Sequence, residues 1–177
     1  MVSTIQLTCP KFIPPVLAKE LESLGYPVKE IGTATVSTEG TLDDAMRLNL
    51  HMRTAHRVVY LLKEFRAASP TDLYNEALNI EWEEFIPADG YISVVSAVDN
   101  ITITNSQFAN QRLKDAIVDR MRNKNGVRPQ SGPDRSKCVA FLYWKDSRVL
   151  VYLDTTGLPL TKRGYRTNPH TAPMNEV

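Results

Sequence analysis

The chain has 177 residues, of which 42% are hydrophobic and 23% charged, and a formal net charge of +1; no apolar run approaches the ~18 residues of a membrane span. The near-neutral total hides a polarity. Residues 1–100 hold 8 basic against 14 acidic side chains and residues 101–177 hold 13 against 6, so the C-terminal half is expected to face something anionic. The opening MVSTIQLTCP lacks a charged, then apolar, leader pattern, which points to a cytoplasmic protein.

This length suits one large domain or two small ones of roughly 60 to 110 residues, and the element pattern favours two. Residues 4–8 alternate as a short strand. Pro14 and Pro15 then open a helix that Gly25 closes. Residues 28–31 and 33–38 are β-branched segments broken at Gly32, and residues 42–54 repeat apolar positions at near-helical spacing. RVVYLLKEF, residues 57–65, is a strong strand. The order β-α-β-β-α-β over residues 1–66 is that of a ferredoxin-like split βαβ unit, within an α+β fold class.

At Ser69 a hydroxyl precedes Pro70, the pattern of a helix start, and LYNEALNI follows. Glu81 to Phe85 extends or follows that helix. Residues 91–98 form a strand, and a long helix covers about 107–123 before Asn125-Gly126 ends it. Residues 129–133 read as a loop. KCVAFLYW and RVLVYLD are two β runs joined by a tight turn, which makes the second unit a mixed sheet with helices. From Leu158 onward the chain is rich in Pro, Gly and Thr and has no core period, as a linker would be. No internal repeat or low-complexity tract is present.

Along the long helix, at ~100° per residue, Ala109, Leu113, Ala116, Ile117 and Met121 share one face and form its core side. Gln111, Asp115 and Arg122 fall opposite, with Arg112 and Asp119 on one flank and Lys114 on the other. The i,i+3 pairs Arg112–Asp115 and Asp119–Arg122 allow a solvated ion-pair surface as readily as RNA contact. Arg120 falls near the apolar face, so it should snorkel or stack on an aromatic ring. Downstream, Arg122, Lys124, Arg128, Arg135 and Lys137 gather in a stretch whose one acid is Asp134. Such a stretch can follow irregular phosphates and gain affinity through counterion release. Lys162, Arg163 and Arg166 form another basic cluster with Tyr165 interleaved, either a base-stacking surface or a solvated linker.

Other chemistries lack their residues. No GxGxxG or GxxxxGK[ST] loop occurs, so no cofactor pocket is expected in this chain. Cys9 and Cys138 belong to no metal-ligand spacing, and Cys138 opens an apolar run as a small buried hydrophobe. His51, His56 and His170 do not cluster, and no metal is expected. Glu81, Glu83 and Glu84 could imitate an acid/base pair but suit a solvated helix side better. Arg53 and Arg57 admit either structural ion pairing or an anion site.

Several of these segments also resemble a known family. NLHMRTAHRVVYLL, DLYNEALNIEWEEFIP, NSQFANQRLKDAIVDRM and VYLDTTGLPLTKRGYR are similar, in order and over nearly the whole chain, to THUMP-containing RNA methyltransferases of the bacterial group that modifies guanine N2 in large-subunit ribosomal RNA. The resemblance implies a ferredoxin-like domain over residues 1–66, an RNA-binding THUMP domain over 67–166, and a linker over 167–177. It also implies RNA contact by Lys114 of KDAIVD, by the basic positions from Arg122 to Lys137, and by Arg163 and Arg166. Full-length members continue into a Rossmann-like domain that binds S-adenosylmethionine, whereas this sequence stops at Val177. It therefore reads as an RNA-binding, non-catalytic part of such an enzyme, with large-subunit ribosomal RNA as its partner and no membrane association. A tRNA-binding THUMP unit of a tRNA-modifying enzyme and a charge-driven protein-interaction module are the alternatives, and oligomeric state is left open.

Overall fold

A computed structural model describes residues 1–100, 105–162 and 164. The chain divides into two compact units: Met1–Tyr60 with the described part of Asp154–Val177, and Leu61–Leu153.

The first unit runs β1 (Ser3–Thr8), α1 (Pro14–Ser23), β2 (Glu30–Ile31), β3 (Thr35–Gly40), α2 (Leu42–His51) and the start of β4 (Arg57–Arg66). Its strand order is β2-β3-β1-β4. All three pairings are antiparallel, so β1 and β2 run the same way with β3 between them, which is the split βαβ expected of a ferredoxin-like unit. Ile5 and Leu7 of β1, Leu17 and Leu21 of α1, and Ala45 and Leu48 of α2 are fully buried. Thr41 caps α2 reciprocally: its hydroxyl accepts the Asp44 N–H at 3.2 Å while the Asp44 carboxylate accepts the Thr41 N–H at 2.8 Å. The helix stops three residues earlier than its apolar spacing predicts. Met52 is extended (ψ 134°) and fully buried, so the chain turns inward there.

The second unit contains α3 (Pro70–Leu78), a short 3-10 turn at Trp82–Glu84, β5 (Tyr91–Asp99), α4 (Ser106–Asn125), β6 (Gln130–Ser131), β7 (Cys138–Lys145) and β8 (Arg148–Asp154). Strand order is β8-β7-β5-β6, and β5 pairs in parallel with both β6 and β7. Parallel neighbours need a crossover, and α4 supplies it. The segment expected to be a plain loop before Pro133 thus carries a two-residue edge strand, too short for periodicity to reveal. Ser69 caps α3 as its sequence predicts, with the Asp72 N–H on its hydroxyl at 3.2 Å.

The core of this unit is one cluster. Ala109, Leu113, Ala116, Ile117 and Met121 of α4 pack with Leu73 and Ala77 of α3, with Trp82 and Ile86, and with Ile92, Leu142, Trp144 and Val151 of the sheet. The apolar face read from the sequence is the buried face. Trp82 is fully buried and donates its indole N–H to the Ala77 carbonyl at 2.9 Å, so its polar atom is satisfied. Cys138 lies in these surroundings, and burial pushes its thiol up to about 11, as suits an inert apolar cysteine.

Candidate nucleic-acid interface

The cationic residues picked out by sequence divide between the units. Arg122 and Lys124 lie in the last turn of α4, which ends at Gly126 in the left-handed region (φ 70°), its N–H donating to the Arg122 carbonyl at 2.9 Å. A residue with a Cβ would be strained there, so glycine sets the exit direction of the basic segment. That segment returns at once to the start of β5. Gln130 pairs with Tyr91, and Ser131 and Cys138 both pair with Ile92. Arg122, Lys124, Arg128, Arg135 and Lys137 are thereby gathered near the end of the sheet where β5 begins, and all are exposed.

Their charge is little spent. Arg122 meets Asp119 at 3.3 Å with 61% of its side chain exposed, whereas Lys124, Arg128, Arg135 and Lys137 form no ion pair among the described residues. An exposed pair of that kind contributes about 0–1 kcal/mol, so Arg122 can exchange Asp119 for another anion. Asp134, the acid of the loop, turns onto its own backbone. It accepts the Ser136 N–H at 2.9 Å, and this hydrogen bond, first among its causes, holds its carboxyl below the usual range.

Two grooves flank α4. One, of about 290 Å³, is lined by Tyr74, Arg112, Asp115, Val118, Asp119, Arg122 and Arg128. Tyr74 donates its hydroxyl to Asp119 at 2.7 Å, and Arg112 lies over the Tyr74 ring at 5.1 Å from its centre. That hydrogen bond from its hydroxyl, more than burial, raises the pKa of Tyr74. The Arg112–Asp115 pairing allowed by spacing is replaced by this stack, while Asp115 accepts from Gln111 at 2.8 Å. The second groove, of about 440 Å³, holds Lys114 beside Gln111 at 2.8 Å.

Arg120, expected to snorkel or stack on an aromatic ring, does neither among the described residues. It donates to the two carboxylate oxygens of Glu83 at 3.0 and 2.5 Å and to the Leu78 carbonyl at 3.2 Å, fastening α4 to the end of α3 and the 3-10 turn. Glu83, one of the acids considered for catalysis, is held below the usual carboxylate range chiefly by those hydrogen bonds.

In the first unit Arg57 of RTAHR has a structural ion pair, whereas Arg53 engages chiefly through its backbone N–H, its side chain being 86% exposed. The Glu20 carboxylate accepts the backbone N–H groups of Arg53 (2.8 Å) and Thr54 (3.0 Å), the Thr54 hydroxyl (2.6 Å) and the Arg53 side chain. Arg57 pairs with buried Asp154 and donates to the Gly157 carbonyl at 3.1 Å. Around this pair Asn49 donates to Thr155 and accepts the Thr156 hydroxyl at 2.8 Å, and the Val58 N–H reaches the same Thr156 oxygen at 2.8 Å. Leu160 is buried, and its N–H meets the His56 carbonyl at 2.9 Å. The beginning of the expected linker, through Lys162, is therefore packed into the first unit; polar bonding, invisible to a search for apolar period, holds it. Lys162 itself is exposed, and Arg163, Arg166 and residues 167–177 lie outside the described residues.

The architecture is thus a ferredoxin-like unit joined to an α+β unit whose parallel strands are crossed by one helix with a basic exit. Family models give these parts their names: an RlmL ferredoxin-like domain matches residues 4–59 and a THUMP domain matches residues 67–154. The chain belongs to the family that joins those two domains, as KDAIVD and LPLTKRGYR implied. It is 36% identical over 169 residues to the ribosomal RNA large subunit methyltransferase K/L of Magnetococcus marinus, covering 96% of this chain and 23% of that protein. A Pseudomonas savastanoi pv. phaseolicola protein of the same name is 34% identical, again over 96% of this chain and 23% of its own length. Among solved structures, a Listeria monocytogenes protein described as a predicted N6-adenine-specific DNA methylase superposes with a TM-score of 0.85 at 26% identity, over 99% of this chain and 46% of that one. The chain spans about a quarter of the length of these curated relatives.

Proposed function

We propose that this chain is the RNA-binding part of a ribosomal RNA methyltransferase, and that it captures structured large-subunit RNA through the basic end of its THUMP unit. The observation that carries the reading is the set of exposed cations, Arg122, Lys124, Arg128, Arg135 and Lys137, brought together with Asp119 as their one ion-pair partner among the described residues. In the same stretch, residues 120–137 hold six basic side chains and one acid. Cations displayed in this way bind phosphates, orient the nucleic acid and read no sequence by themselves. The names of the relatives support ribosomal RNA as the target and methyl transfer as the context. On this reading S-adenosylmethionine and the methyl-transfer chemistry belong to the roughly three quarters of the curated relatives' length that this chain does not span.

RNA affinity measured against salt tests the proposal. A steep negative log-log slope is expected, and replacing Arg122, Lys124, Arg128 and Lys137 with Glu should flatten it by about 3, at ~0.7–0.9 for each phosphate no longer neutralised. A slope near zero for the unmodified chain, or unchanged affinity in the fourfold variant, would overturn it. Purified chain incubated with S-adenosylmethionine and RNA should transfer no methyl group.

A further inference from the structure

The second groove beside α4 has the wrong lining for a simple packing defect. Its helix wall is Gln107, Asn110, Gln111 and Lys114, at i, i+3, i+4 and i+7, so three amides and a lysine form one continuous stripe along α4. Its floor is Ile92 and Val94 of β5, and its far wall is Ser131, Gly132 and Pro133. A stripe next to a sheet would ordinarily be apolar, yet this one is polar throughout. Asn110 carries a buried amide oxygen with no hydrogen-bond partner, an arrangement that costs stability unless something else fills it.

The far wall is fixed before any ligand arrives. The Gly132 N–H donates to the Ile92 carbonyl at 3.2 Å, and the Asp134 N–H donates to the Tyr91 hydroxyl at 3.1 Å. A Cβ at position 132 would stand 2.3 Å from that hydroxyl, so glycine is what lets the wall lie against Tyr91. On the helix side, Gln111 holds the Lys114 ammonium at 2.8 Å. A volume of about 440 Å³ lies within the range of small-ligand sites, roughly 300–1,000 Å³.

Side-chain amides both donate and accept, which matches the edge of an unpaired base, while aliphatic side chains accept its face and a lysine its phosphate. We infer that this groove receives one unpaired nucleotide of the bound RNA, its base against the partly exposed Val94, its edge on Gln107, Asn110 and Gln111, and its phosphate at Lys114. The inference rests on the RNA-binding reading above but concerns a different act: the basic end supplies phosphate attraction, and the amide groove selects an unpaired base. Lys114 acquires a specific task, and the three amides become binding residues.

The test uses the whole chain and two RNAs of equal length, a hairpin with an unpaired loop containing 2-aminopurine and a fully paired duplex. The hairpin should bind more tightly than the duplex by roughly tenfold, with a change in 2-aminopurine fluorescence on binding. Gln107→Ala with Asn110→Ala should erase both the preference and the signal while leaving the salt slope intact. Asn110→Leu separates this role from a structural one, because it removes the unpartnered amide without emptying the site. It should melt no lower than the parent and still lose the preference. Equal affinity for hairpin and duplex, or a preference that survives these substitutions, overturns the inference while salt-dependent binding stands. Absence of RNA binding by the parent chain would overturn the proposed function and this inference together.

Discussion

Arg57 of the first unit and the cations at the end of α4 in the second spend their charge in opposite ways. Arg57 is committed to a buried carboxylate. In the second, cations between Arg122 and Lys137 stand exposed while Arg120, two residues from the first of them, is fastened to Glu83. Similar residue types thus serve cohesion in one place and display in another; what separates them is whether an acceptor waits within reach. Basic residues in a motif shared with relatives are therefore no guide to nucleic-acid contact until their acceptors are known.

The sharpest way to break this contrast is Asp154→Ala, which leaves Arg57 without its carboxylate. It should lower the stability of the first unit by about 2–4 kcal/mol, seen as a reduced denaturant midpoint. Glu83→Ala should cost somewhat less, about 1–3 kcal/mol, because Glu83 is 25% exposed against 6% for Asp154. Lys137→Gln should change stability by less than about 0.5 kcal/mol yet reduce the RNA salt slope by ~0.7–0.9, the signature of display without cohesion.

Acid sharpens the same comparison. Burial alone would raise the Glu20 pKa, but the hydrogen bonds from Thr54 and Arg53 outweigh it and the net shift is downward. A carboxyl depressed on folding stabilises fully above its unfolded value, about 4.3, and loses that contribution as pH falls through its lower folded value. The stability difference between the parent and Glu20→Gln should accordingly be largest near pH 6 and shrink toward pH 3. The smallest expected effect is at Cys138: with its thiol at about 11, alkylation at pH 8 should run roughly a hundredfold slower than for an ordinary cysteine.

Most of the fold is legible in the sequence because it rests on local signals. The apolar face of α4, the cap at Ser69 and the stop at Gly126 depend on residues a few positions apart. What escapes a sequence reading depends on distant partners. Arg120 resembles a snorkelling residue because Glu83 lies 37 positions away, and Arg112 resembles a partner for Asp115 because nothing in the sequence sets Tyr74 beside it. The chain from Leu158 reads as a linker since the partner of the Leu160 N–H is a backbone carbonyl at His56, far back in the chain. The amide stripe is available in principle, because Gln107, Asn110, Gln111 and Lys114 share a helical face. Only the groove opposite, with the buried Asn110 amide oxygen in its wall, sets it apart from a solvated flank.

The clasp between Asn49 and Thr155 joins positions 106 apart, with the whole second unit between them. During synthesis at 5–20 residues per second, the first unit must wait about 5–20 s after Asn49 is made before its closing segment exists. The second unit is contiguous, and its own last strand ends just before that closing segment. The domain that begins the chain thus cannot finish folding until the second unit has been synthesised, and in the interval the nascent first unit is exposed to chaperones and proteases while Asp154 and Thr155 are not yet made.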